Sequence, residues 1–492
     1  MMRALELERA LATVCAAGPV EVRENGRWLA GLEGLQYEVR NNGETVLLHL
    51  WSPQQSLVRR VVEVREQAGA AVVLHVAGPG HARPGKLEIL AASQYRQPGR
   101  VAREQFRERM RQFLANRFPD ETPGPLTTTA ALRHSLSGSY TRGMMHRGSD
   151  AYAVMGAAPE ESAATIDAIL TFGLIWLEHS RGRQGRRRIG SLRLFVPTGT
   201  GAVLSHRIGA LARTHGIELY EYDPASWRVR RVAISDAGNL ATWIVPRREV
   251  DAALAAAAPS IEPIRRLDPD AIEVAVPAQT QDVSLRFRGL EFARWRMGEI
   301  WFGLDDRQKP LTPARWPQLE ALVRELQNRR SPLASETKHR LFRAYPERWL
   351  ETLVAADPSR VDPRLDPRFL YAQVPALSGA ARGIIDLLGV TRDGRLAVIE
   401  LKASEDIHVI AQAIDYWLRV RWHQEQDDFH RYGYFPDVVL QPLPPLLFLV
   451  APGFQFHPTG DVLLGYLTPE IEIVRVGLAE NWRRGLRVIF RK

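Results

Sequence analysis

The chain has 492 residues, of which 45% are hydrophobic and 25% are charged, and its formal net charge is +9. This length allows about two to four domains with cores of their own, and the composition excludes a disordered or fibrous protein. The positive charge comes mainly from arginine, whose N–H donors suit phosphate oxygens, so DNA is an expected partner. The single cysteine, Cys15, excludes an internal disulfide framework and a cysteine-based zinc site.

The N-terminal part predicts an α+β domain over residues 1–120. Charged residues run through its first 18 positions, which therefore lack the apolar core of a signal peptide. No apolar run in the chain approaches the ~20 residues of a membrane helix, so we expect no membrane partner and a cytoplasmic location. A short helix is followed by apolar segments at 28–32, 35–40 and 46–51 that indicate a β-meander, then a helix over 57–67 and a strand over 71–76.

A helix is predicted over 101–118, and residues 119–125, which contain three prolines, are typical of a linker. Five arginines lie outside the apolar stripe of this helix. They indicate a solvated basic face or, less simply, a contact with nucleic acid.

Residues 126–255 predict an α/β domain with strands at 150–156, 192–197 and 217–222 and helices at 162–179 and 201–214. The C-terminal region repeats this order, with strands at 396–401, 446–452 and 471–476 and a helix at 407–422. The middle domain is therefore interpreted as a degenerate copy of the C-terminal fold, in which residues 151–155 carry no acidic or basic side chain. Alternatively, any three-layer α/β domain produces such a succession of strands and helices.

A dense basic run lies inside this middle domain, between its long helix and the next strand. Its arginines are predicted to contact phosphates or, as an alternative, to form a solvated loop. The candidate DNA-binding residues are Arg183, Arg186, Arg187 and Arg188, together with Arg382 further along the chain.

The region 270–330 is predicted as a connector that follows a linker at 259–269. It contains a β-hairpin over 283–295 and 299–304 and a helix over 317–328. The aromatic residues of the hairpin are expected to form core, although they could also stack on bases. They are Phe287, Phe292, Trp295, Trp301 and Phe302.

Residues 331–492 contain the strongest chemical signal. Two apolar runs, 383–390 and 396–401, flank a turn at 392–394 and predict a β-hairpin. Side chains alternate along a strand, so Glu400 and Lys402 point to one side, and hairpin pairing brings Asp386 beside them. Buried carboxylates are costly unless they pair or bind a metal, and Mg²⁺ prefers oxygen ligands. We therefore expect a Mg²⁺ or Mn²⁺ site.

Asp386, a gap of thirteen residues and then Glu400 and Lys402 resemble the D-(x)n-E-x-K core of the PD-(D/E)XK nuclease superfamily. Gln412 and Tyr416, four apart on the following helix, resemble the Q-x-x-x-Y motif of its RecB-like and NucS-like branches. Upstream, Glu347 matches the acidic residue on the first helix of NucS-type endonucleases. The resemblance covers roughly the last third of the chain, and the proline that names the superfamily is replaced by Ile385.

The resemblance implies a multidomain α/β protein whose C-terminal domain has a mixed sheet flanked by helices. It also implies catalytic roles for Asp386, Glu400, Lys402, Glu347, Gln412 and Tyr416, with the metal held by Asp386, Glu400 and Glu347. A simpler interpretation is an exposed hairpin with a surface salt bridge, beside a helix on which Gln412 and Tyr416 border the core. Glu351 is expected to be a solvated or paired carboxylate, or to replace Glu347 if the helix is shifted by one turn.

The function expected from these features is hydrolysis of DNA phosphodiesters by water that a divalent metal activates. The resemblance implies branched, mismatched or single-stranded DNA, in repair or in defence against foreign DNA. Two alternatives remain: a catalytically silent binding or assembly protein, and an effector gated by a small molecule or a protein, with a ligand pocket at 198–201. A homodimer is a further expectation.

Overall fold

A computed structural model gives the fold. It describes residues 2–16, 20–24, 27–32, 36–42, 45–51, 56–68, 71–77, 85–91, 100–130, 136–183, 188–212, 216–234, 242–276, 282–304, 308–378, 381–404, 406–456 and 459–492. The chain forms two compact units. Unit 1 contains Met1–Ala241, Ser378–Gly383 and Thr459–Thr468, and unit 2 contains Thr242–Leu377, Ile384–Pro458 and Pro469–Lys492. The finer domain boundaries at 120, 126, 255, 270 and 330 stay predictions.

Unit 1 begins with helix α1 (Met2–Ala16) and an antiparallel sheet of seven strands. The strands are β1 (Val20–Glu24), β2 (Arg27–Leu32), β3 (Gln36–Asn42), β4 (Thr45–Trp51), β5 (Ser56–Ala68), β6 (Ala71–Ala77) and β7 (Gly85–Ala91), in the order β2-β1-β7-β6-β5-β4-β3. Leu7 and Leu11 of α1 are buried against Val22 and Leu74 of the sheet. The meander therefore runs from β3 to β7, whereas β2 pairs with β1 at the other edge.

The helix predicted over 57–67 is wrong, because these residues form β5. Four valines lie between positions 58 and 64, and β-branched residues favour strands. β5 also pairs with both β4 and β6, so backbone hydrogen bonds on two sides outweigh the helix-like spacing of its apolar residues.

A second sheet of unit 1 has six strands and lies among four helices. The strands are β8 (Thr122–Pro123), β9 (Tyr140–Arg147), β10 (Asp150–Ala157), β11 (Arg188–Pro197), β12 (Ile217–Tyr222) and β13 (Val229–Arg231), in chain order across the sheet. The helices are α2 (Arg100–Arg117), α3 (Ala163–Asp167), α4 (Ile169–Arg183) and α5 (Gly201–Gly209). The linker predicted at 119–125 contains β8, which pairs with β9 at the edge of the sheet.

Unit 2 contains a five-stranded antiparallel sheet with helices beside it. Its elements are α6 (Arg247–Arg265), β15 (Ile272–Ala275), β16 (Val283–Phe287), β17 (Leu290–Arg296), β18 (Glu299–Phe302), β19 (Lys309–Pro310) and α7 (Trp316–Arg329); β14 (Thr242–Trp243) belongs to the next sheet. Phe287, Phe292 and Phe302 are buried in its core, which agrees with the core interpretation of these aromatic residues.

The linker predicted at 259–269 is wrong over its first part, because α6 continues to Arg265 with Pro259 and Pro263 inside it. An alanine-rich stretch before Pro259 favours helix. Ala257, Ile261 and Ile264 are buried at helical spacing, so packing of this face stabilises the helix despite the two prolines.

The remaining sheet of unit 2 has the order β14-β20-β21-β22-β23-β24-β25. Its other strands are β20 (Leu365–Ser378), β21 (Ala381–Thr391), β22 (Leu396–Leu401), β23 (Leu446–Pro452), β24 (Ile473–Leu478) and β25 (Val488–Arg491). The accompanying helices are α8 (Arg340–Arg343), α9 (Pro346–Ala356), α10 (Val409–Glu425) and α11 (Asp428–Arg431), whereas α12 (Gly460–Leu464) belongs to unit 1. β22 is buried along its whole length.

The six-stranded sheet of unit 1 and the seven-stranded sheet of unit 2 share five successive strands with the same directions. In each, an antiparallel hairpin is followed by two parallel strands and an antiparallel edge strand: β9 to β13 in unit 1 and β21 to β25 in unit 2. α4 and α10 each connect the second of these strands to the third. The chain thus builds the same strand order twice.

Candidate active site

The hairpin β21–β22 brings the predicted acidic pair together. Leu387 of β21 pairs with Ile399 of β22, so the preceding Asp386 lies beside the following Glu400. Gly394 forms the turn with a φ of +90°, and a Cβ there would lie 2.1 Å from the backbone oxygen of Val439. Only glycine fits this turn, which sets the register that aligns the two carboxylates.

The two carboxylates are held in different ways. Asp386 Oδ2 accepts a 3.0 Å hydrogen bond from the Leu401 backbone N–H. Glu400 is 1% exposed, and its Oε2 atom is buried without a hydrogen-bond partner among the described residues. An unpartnered carboxylate oxygen costs about 1–3 kcal/mol or more, so a cation or a hydrogen-bond donor at this atom would be stabilising.

The pKa values of Asp386 and Glu400 show that their charged forms are disfavoured where they lie. Burial raises the pKa of Glu400 well above its usual value, and the charge of Asp386 raises it further. Burial also raises the pKa of Asp386, although the Leu401 N–H bond and the charges of Arg348 and Lys402 act in the opposite direction. A cation placed between the carboxylates would stabilise their charged forms.

Lys402 lies between the carboxylates and helix α10. Its Nζ is 3.3 Å from Glu400 Oε1, 3.7 Å from Asp406 Oδ2 and 2.9 Å from the Gln412 Oε1 that accepts its hydrogen bond. Burial lowers the pKa of Lys402, but its neighbours Glu400, Asp386 and Asp406 outweigh burial and leave the pKa raised. The ammonium therefore stays charged at neutral pH.

Helix α10 supplies the other two predicted residues. Gln412 contacts Lys402, and Tyr416, one turn later, is 5% exposed. Burial raises the pKa of Tyr416 well above its usual value, and the charges of Glu400 and Asp386 add to this effect. Gln412 and Tyr416 therefore lie on the helix face that looks towards the carboxylates, and Tyr416 keeps its proton.

Helix α9 approaches the site from the opposite side of β22. Glu347 Oε1 accepts a long, 3.4 Å hydrogen bond from the Ala403 backbone N–H. Glu351 is buried and accepts a 3.0 Å hydrogen bond from Arg348 Nη1, with Arg286 Nη1 3.9 Å away. Burial raises its pKa to about 7, against the lowering effect of the two arginines. Glu351 is thus the paired helix carboxylate that the sequence suggested.

A fully buried arginine secures the start of α9. Arg330 donates hydrogen bonds to the carbonyls of Phe287, Leu341 and Ala344, and its guanidinium lies 4.8 Å from the ring centre of Trp349. Burial lowers its pKa to about 9. Because Ala344 precedes α9 and Trp349 lies within it, Arg330 fixes the position of the helix that carries Glu347 and Arg348.

The side chains of Asp386 and Glu400 offer two carboxylates to a divalent cation. Among the described residues, no group of three or more His, Cys, Asp and Glu side chains is arranged to hold a metal. Glu347 therefore does not complete a three-carboxylate set with Asp386 and Glu400. Mg²⁺ usually takes only one or two protein carboxylates and fills its other positions with water and phosphate oxygens. The adjacent Asp386 and Glu400, with the unpartnered Oε2, fit such a cation.

The predicted DNA-binding arginines lie wholly or partly outside the described residues. Arg186 and Arg187 lie outside the described residues, as do the side chains of Arg183, Arg188 and Arg382. Arg183 ends α4, Arg188 begins β11 and Arg382 lies in β21. Their contact with DNA stays a prediction.

The sheet of unit 1 holds different residues at the corresponding positions. When the ends of the parallel strands are aligned at Pro197 and Pro452, Met155 corresponds to Glu400 and Ala157 to Lys402. Arg142, the partner of Met155 in β9, takes the place of Asp386. Acidic side chains are thus absent from these three positions.

The loop at 198–201, which we considered as a ligand pocket, already holds an anion from the chain itself. Glu221 Oε1 accepts hydrogen bonds from the backbone N–H groups of Gly199, at 3.0 Å, and Gly201, at 2.9 Å. Arg230 donates to the other oxygen of Glu221 at 2.7 Å. These N–H groups are occupied, so the loop lends no support to a gating ligand.

Three charged residues in and around the site were not predicted from the sequence. Arg348 is the cation that acts most strongly on Asp386, Asp406 approaches Lys402, and Arg286 reaches Glu351 from the five-stranded sheet. Arg348 directly follows Glu347, and Asp406 follows Lys402 by four residues, so their proximity in sequence was an available signal. Arg286 carried no such signal, because its contact joins positions 65 residues apart.

Comparisons with known proteins add little. No family model matches the sequence, and no curated protein matches it. A solved structure described as the crystal structure of a repair endonuclease from Pyrococcus abyssi is 12% identical over 45% of this chain and 96% of its own, with a TM-score of 0.16. At that score the likeness carries no argument, so the function must be inferred from the site. No helix in the described part of the chain is long and apolar enough to cross a membrane.

Proposed function

We propose that the chain is a nuclease that hydrolyses DNA phosphodiester bonds with Mg²⁺ or Mn²⁺ bound by Asp386 and Glu400. The observation that carries the proposal is the adjacent pair of carboxylates, a half-buried Asp386 and a buried Glu400, with a charged lysine 3.3 Å from Glu400 and an unpartnered oxygen, Glu400 Oε2. A structural hairpin would not bury these charges at such a cost. The cation would act as a Lewis acid on the phosphate and lower the pKa of the attacking water.

The residues around the carboxylates have distinct tasks. Lys402 remains protonated, so it stabilises negative charge that develops on the scissile phosphate rather than removing a proton from water. Gln412 holds the Lys402 ammonium in place through its 2.9 Å hydrogen bond. Arg348, fixed by Glu351, adds a second positive charge beside Asp386.

Glu347 and Tyr416 support this arrangement in the proposal. Glu347 fixes the backbone directly after Lys402 through Ala403, and it lies at the start of α9, where the helix dipole favours a carboxylate. Tyr416 closes the α10 side of the site and excludes water from Glu400. Exclusion of water strengthens each electrostatic interaction at the reacting phosphate.

DNA is the proposed substrate because the chain carries a net charge of +9 and its site combines cations with a metal-binding carboxylate pair. The resemblance of the C-terminal motifs to NucS-type endonucleases supports branched, mismatched or single-stranded DNA, in repair or defence. A catalytically silent binder is the competing proposal, and the same assay separates the two.

The test is cleavage of labelled single-stranded, duplex, mismatched and flapped DNA by the full chain and by Glu400→Gln, with Mg²⁺, Mn²⁺ or EDTA. Glu472→Gln is the matched control, because this carboxylate belongs to the same sheet but is half exposed and pairs with Arg395. We expect metal-dependent cleavage in the wild type and the control, and a loss of about 10³-fold in Glu400→Gln. DNA binding without cleavage by the wild-type chain under every condition would favour the silent binder.

A further inference from the structure

An exposed aromatic residue lies at the sheet edge that carries the proposed active site. Phe454 is 84% exposed and belongs to the short 3₁₀ turn Gly453–Gln455, directly after β23. β22, β23 and β24 are parallel, so their carboxyl ends lie along one edge. Lys402 at the end of β22 donates its backbone N–H to Val450, two residues before β23 ends. The turn with Phe454 therefore follows the strand next to the site.

The backbone of this turn contacts neighbouring segments although the phenyl ring of Phe454 faces solvent. The Phe454 backbone N–H donates a 3.2 Å hydrogen bond to Glu480 Oε1. Gly453 packs so tightly against β25 that a Cβ there would lie 2.4 Å from the Ile489 side chain. Phe454 thus faces solvent while its backbone is bonded within the protein. This arrangement limits the conformational entropy that the turn loses when the ring binds a partner.

More aromatic surface continues from the turn. The rings of Phe456 and Phe490 are 5.8 Å apart, and Phe490 covers Gly477, where a Cβ would lie 2.1 Å from the ring. Phe490 is 37% exposed and its neighbour Ile489 is 51% exposed. We call the surface formed by Phe454, Phe456, Ile489 and Phe490 the aromatic platform.

The charges around the aromatic platform indicate the chemistry of its partner. Residues 483–492 contain four arginines and one lysine and no acidic residue. Arg484 and Arg487 are exposed, whereas Glu480 is an exposed acid in the neighbourhood. The guanidinium of Arg483 lies 5.3 Å from the ring centre of Trp349, so this basic segment packs beside α9, the helix that carries Glu347. Aromatic rings bordered by arginines bind bases by stacking and the sugar-phosphate backbone by charge.

We propose that Phe454 stacks on an unpaired base of the DNA strand that is cleaved at Asp386 and Glu400. The aromatic platform then selects DNA that is single-stranded or frayed next to the scissile bond, since neighbouring base pairs cover both faces of a base inside a duplex. This inference rests on the proposed nuclease function for the strand that is cut, but the stacking itself requires no metal and no turnover.

The experiment measures binding in EDTA, so that cleavage plays no part. The probe is a single-stranded oligonucleotide that contains 2-aminopurine, whose fluorescence is quenched when the base stacks, and a fully paired duplex serves as the second ligand. The full chain is compared with Phe454→Ala, Phe454→Leu and Phe454→Tyr. Val439→Ala is the matched control, because Val439 is 88% exposed but contacts the hairpin turn at the opposite end of β22.

We expect Phe454→Ala and Phe454→Leu to bind the single strand roughly 10-fold more weakly and to lose the quenching, in line with the loss of one stacked base. Phe454→Tyr and Val439→Ala should resemble the wild type, and duplex affinity should change little. Because Phe454 is exposed, all variants should unfold at the wild-type temperature.

Equal affinity and equal quenching for Phe454→Ala and the wild type would overturn the inference, as would failure of the wild type to bind the single strand. Unchanged DNA binding together with loss of a dimer on sedimentation would overturn it in favour of a second copy of the chain. If the wild type binds and quenches but never cleaves with Mg²⁺ or Mn²⁺, the nuclease proposal fails while the stacking site stands.

Discussion

The sheets β9–β13 and β21–β25 have the same strand order and directions but different side-chain chemistry at two paired positions. In unit 2, a buried Glu400 lies beside a half-buried Asp386, with Lys402 3.3 Å from Glu400. In unit 1, Arg142 and Met155 occupy the corresponding pair of positions. The backbone arrangement therefore does not require the acidic site, and an adjacent pair of carboxylates at these two positions occurs in unit 2 and not in unit 1.

The hydrogen-bond partners of Arg142 and Glu400 show what this difference means for stability. Arg142 is 3% exposed, donates to the carbonyls of Ser137 and Thr129, and lies 5.8 Å from the ring centre of Trp176. Arg142 Nε and Glu400 Oε2 are both buried without a hydrogen-bond partner among the described residues, but the two other nitrogens of Arg142 donate to carbonyls of the chain itself. Unit 1 thus places at this position a cation that is bonded to its own backbone, whereas unit 2 places two adjacent carboxylates there, whose mutual repulsion opposes folding. Natural proteins give up stability in this way mainly at functional sites.

The largest expected effect concerns Lys402, which unit 1 replaces with Ala157. Lys402→Met should lower DNA cleavage by about 10³-fold and leave DNA affinity close to that of the wild type, because only the developing charge on the phosphate needs the ammonium. Single-turnover cleavage and binding measured separately would show this. Met155→Leu, at the unit 1 position that matches Glu400, is the control and should cleave normally. Equal losses of binding and cleavage in Lys402→Met would contradict its catalytic role.

Substitution of Arg142, the unit 1 counterpart of Asp386, should lower stability and leave cleavage intact. Arg142→Met should lower the free energy of unfolding by about 2–4 kcal/mol, because it leaves two carbonyls without donors, while the folded protein still cleaves DNA. Thermal unfolding and cleavage at a temperature where the variant stays folded would test this. Arg147→Met at the exposed end of β9 is the control. Loss of cleavage by folded Arg142→Met would mean that the unit 1 sheet takes part in catalysis.

The smallest effect concerns a buried carboxyl of unit 2 outside the active site. Burial raises the pKa of Glu273 from 4.5 to about 7, although Oε2 accepts a hydrogen bond from the Gly289 N–H. Between pH 4.5 and about pH 7, Glu273 keeps its proton in the folded chain but has lost it in the unfolded chain. The unfolding free energy should therefore fall as pH rises through this window and level off above it.

Glu273→Gln should remove this part of the pH dependence. At pH 8 its unfolding free energy should be roughly 1–2 kcal/mol higher than that of the wild type. Unfolding in urea between pH 5 and pH 8, in EDTA, measures the difference. The exposed Glu249→Gln should keep the wild-type slope. An unchanged slope in Glu273→Gln would show that this carboxyl is charged in the folded protein at neutral pH.

Local patterns in the sequence predicted the elements that carry the site. The strand expected at 396–401 matches β22, and the turn at 392–394 contains Gly394, because alternation and turn chemistry act over a few residues. The helix expected at 57–67 failed because pairing with β4 and β6 overrode an ambiguous apolar spacing. The linker expected at 259–269 failed because burial of one face of α6 outweighed two prolines.

The repeated strand order shows where prediction from sequence stopped. The succession of strands and helices suggested two related folds, yet only the pairing register identified Arg142 as the residue opposite Met155. Similarly, Glu351 was recognised as a paired carboxylate, but its partner Arg286 comes from a different sheet. Contacts between residues far apart in the chain depend on how the elements pack.

The sequence by itself determined the hairpin and the chemistry that it carries: an aspartate, then a glutamate and a lysine two apart on the next strand, with Gln412 and Tyr416 on one helix face. These features follow from alternation along a strand and the repeat of a helix. Only the tertiary structure decided that Glu400 Oε2 lacks a partner, that Arg348 stands beside Asp386 and that Phe454 faces solvent at the same edge. Burial and electrostatics depend on everything that surrounds a side chain, and distant parts of the chain supply those surroundings.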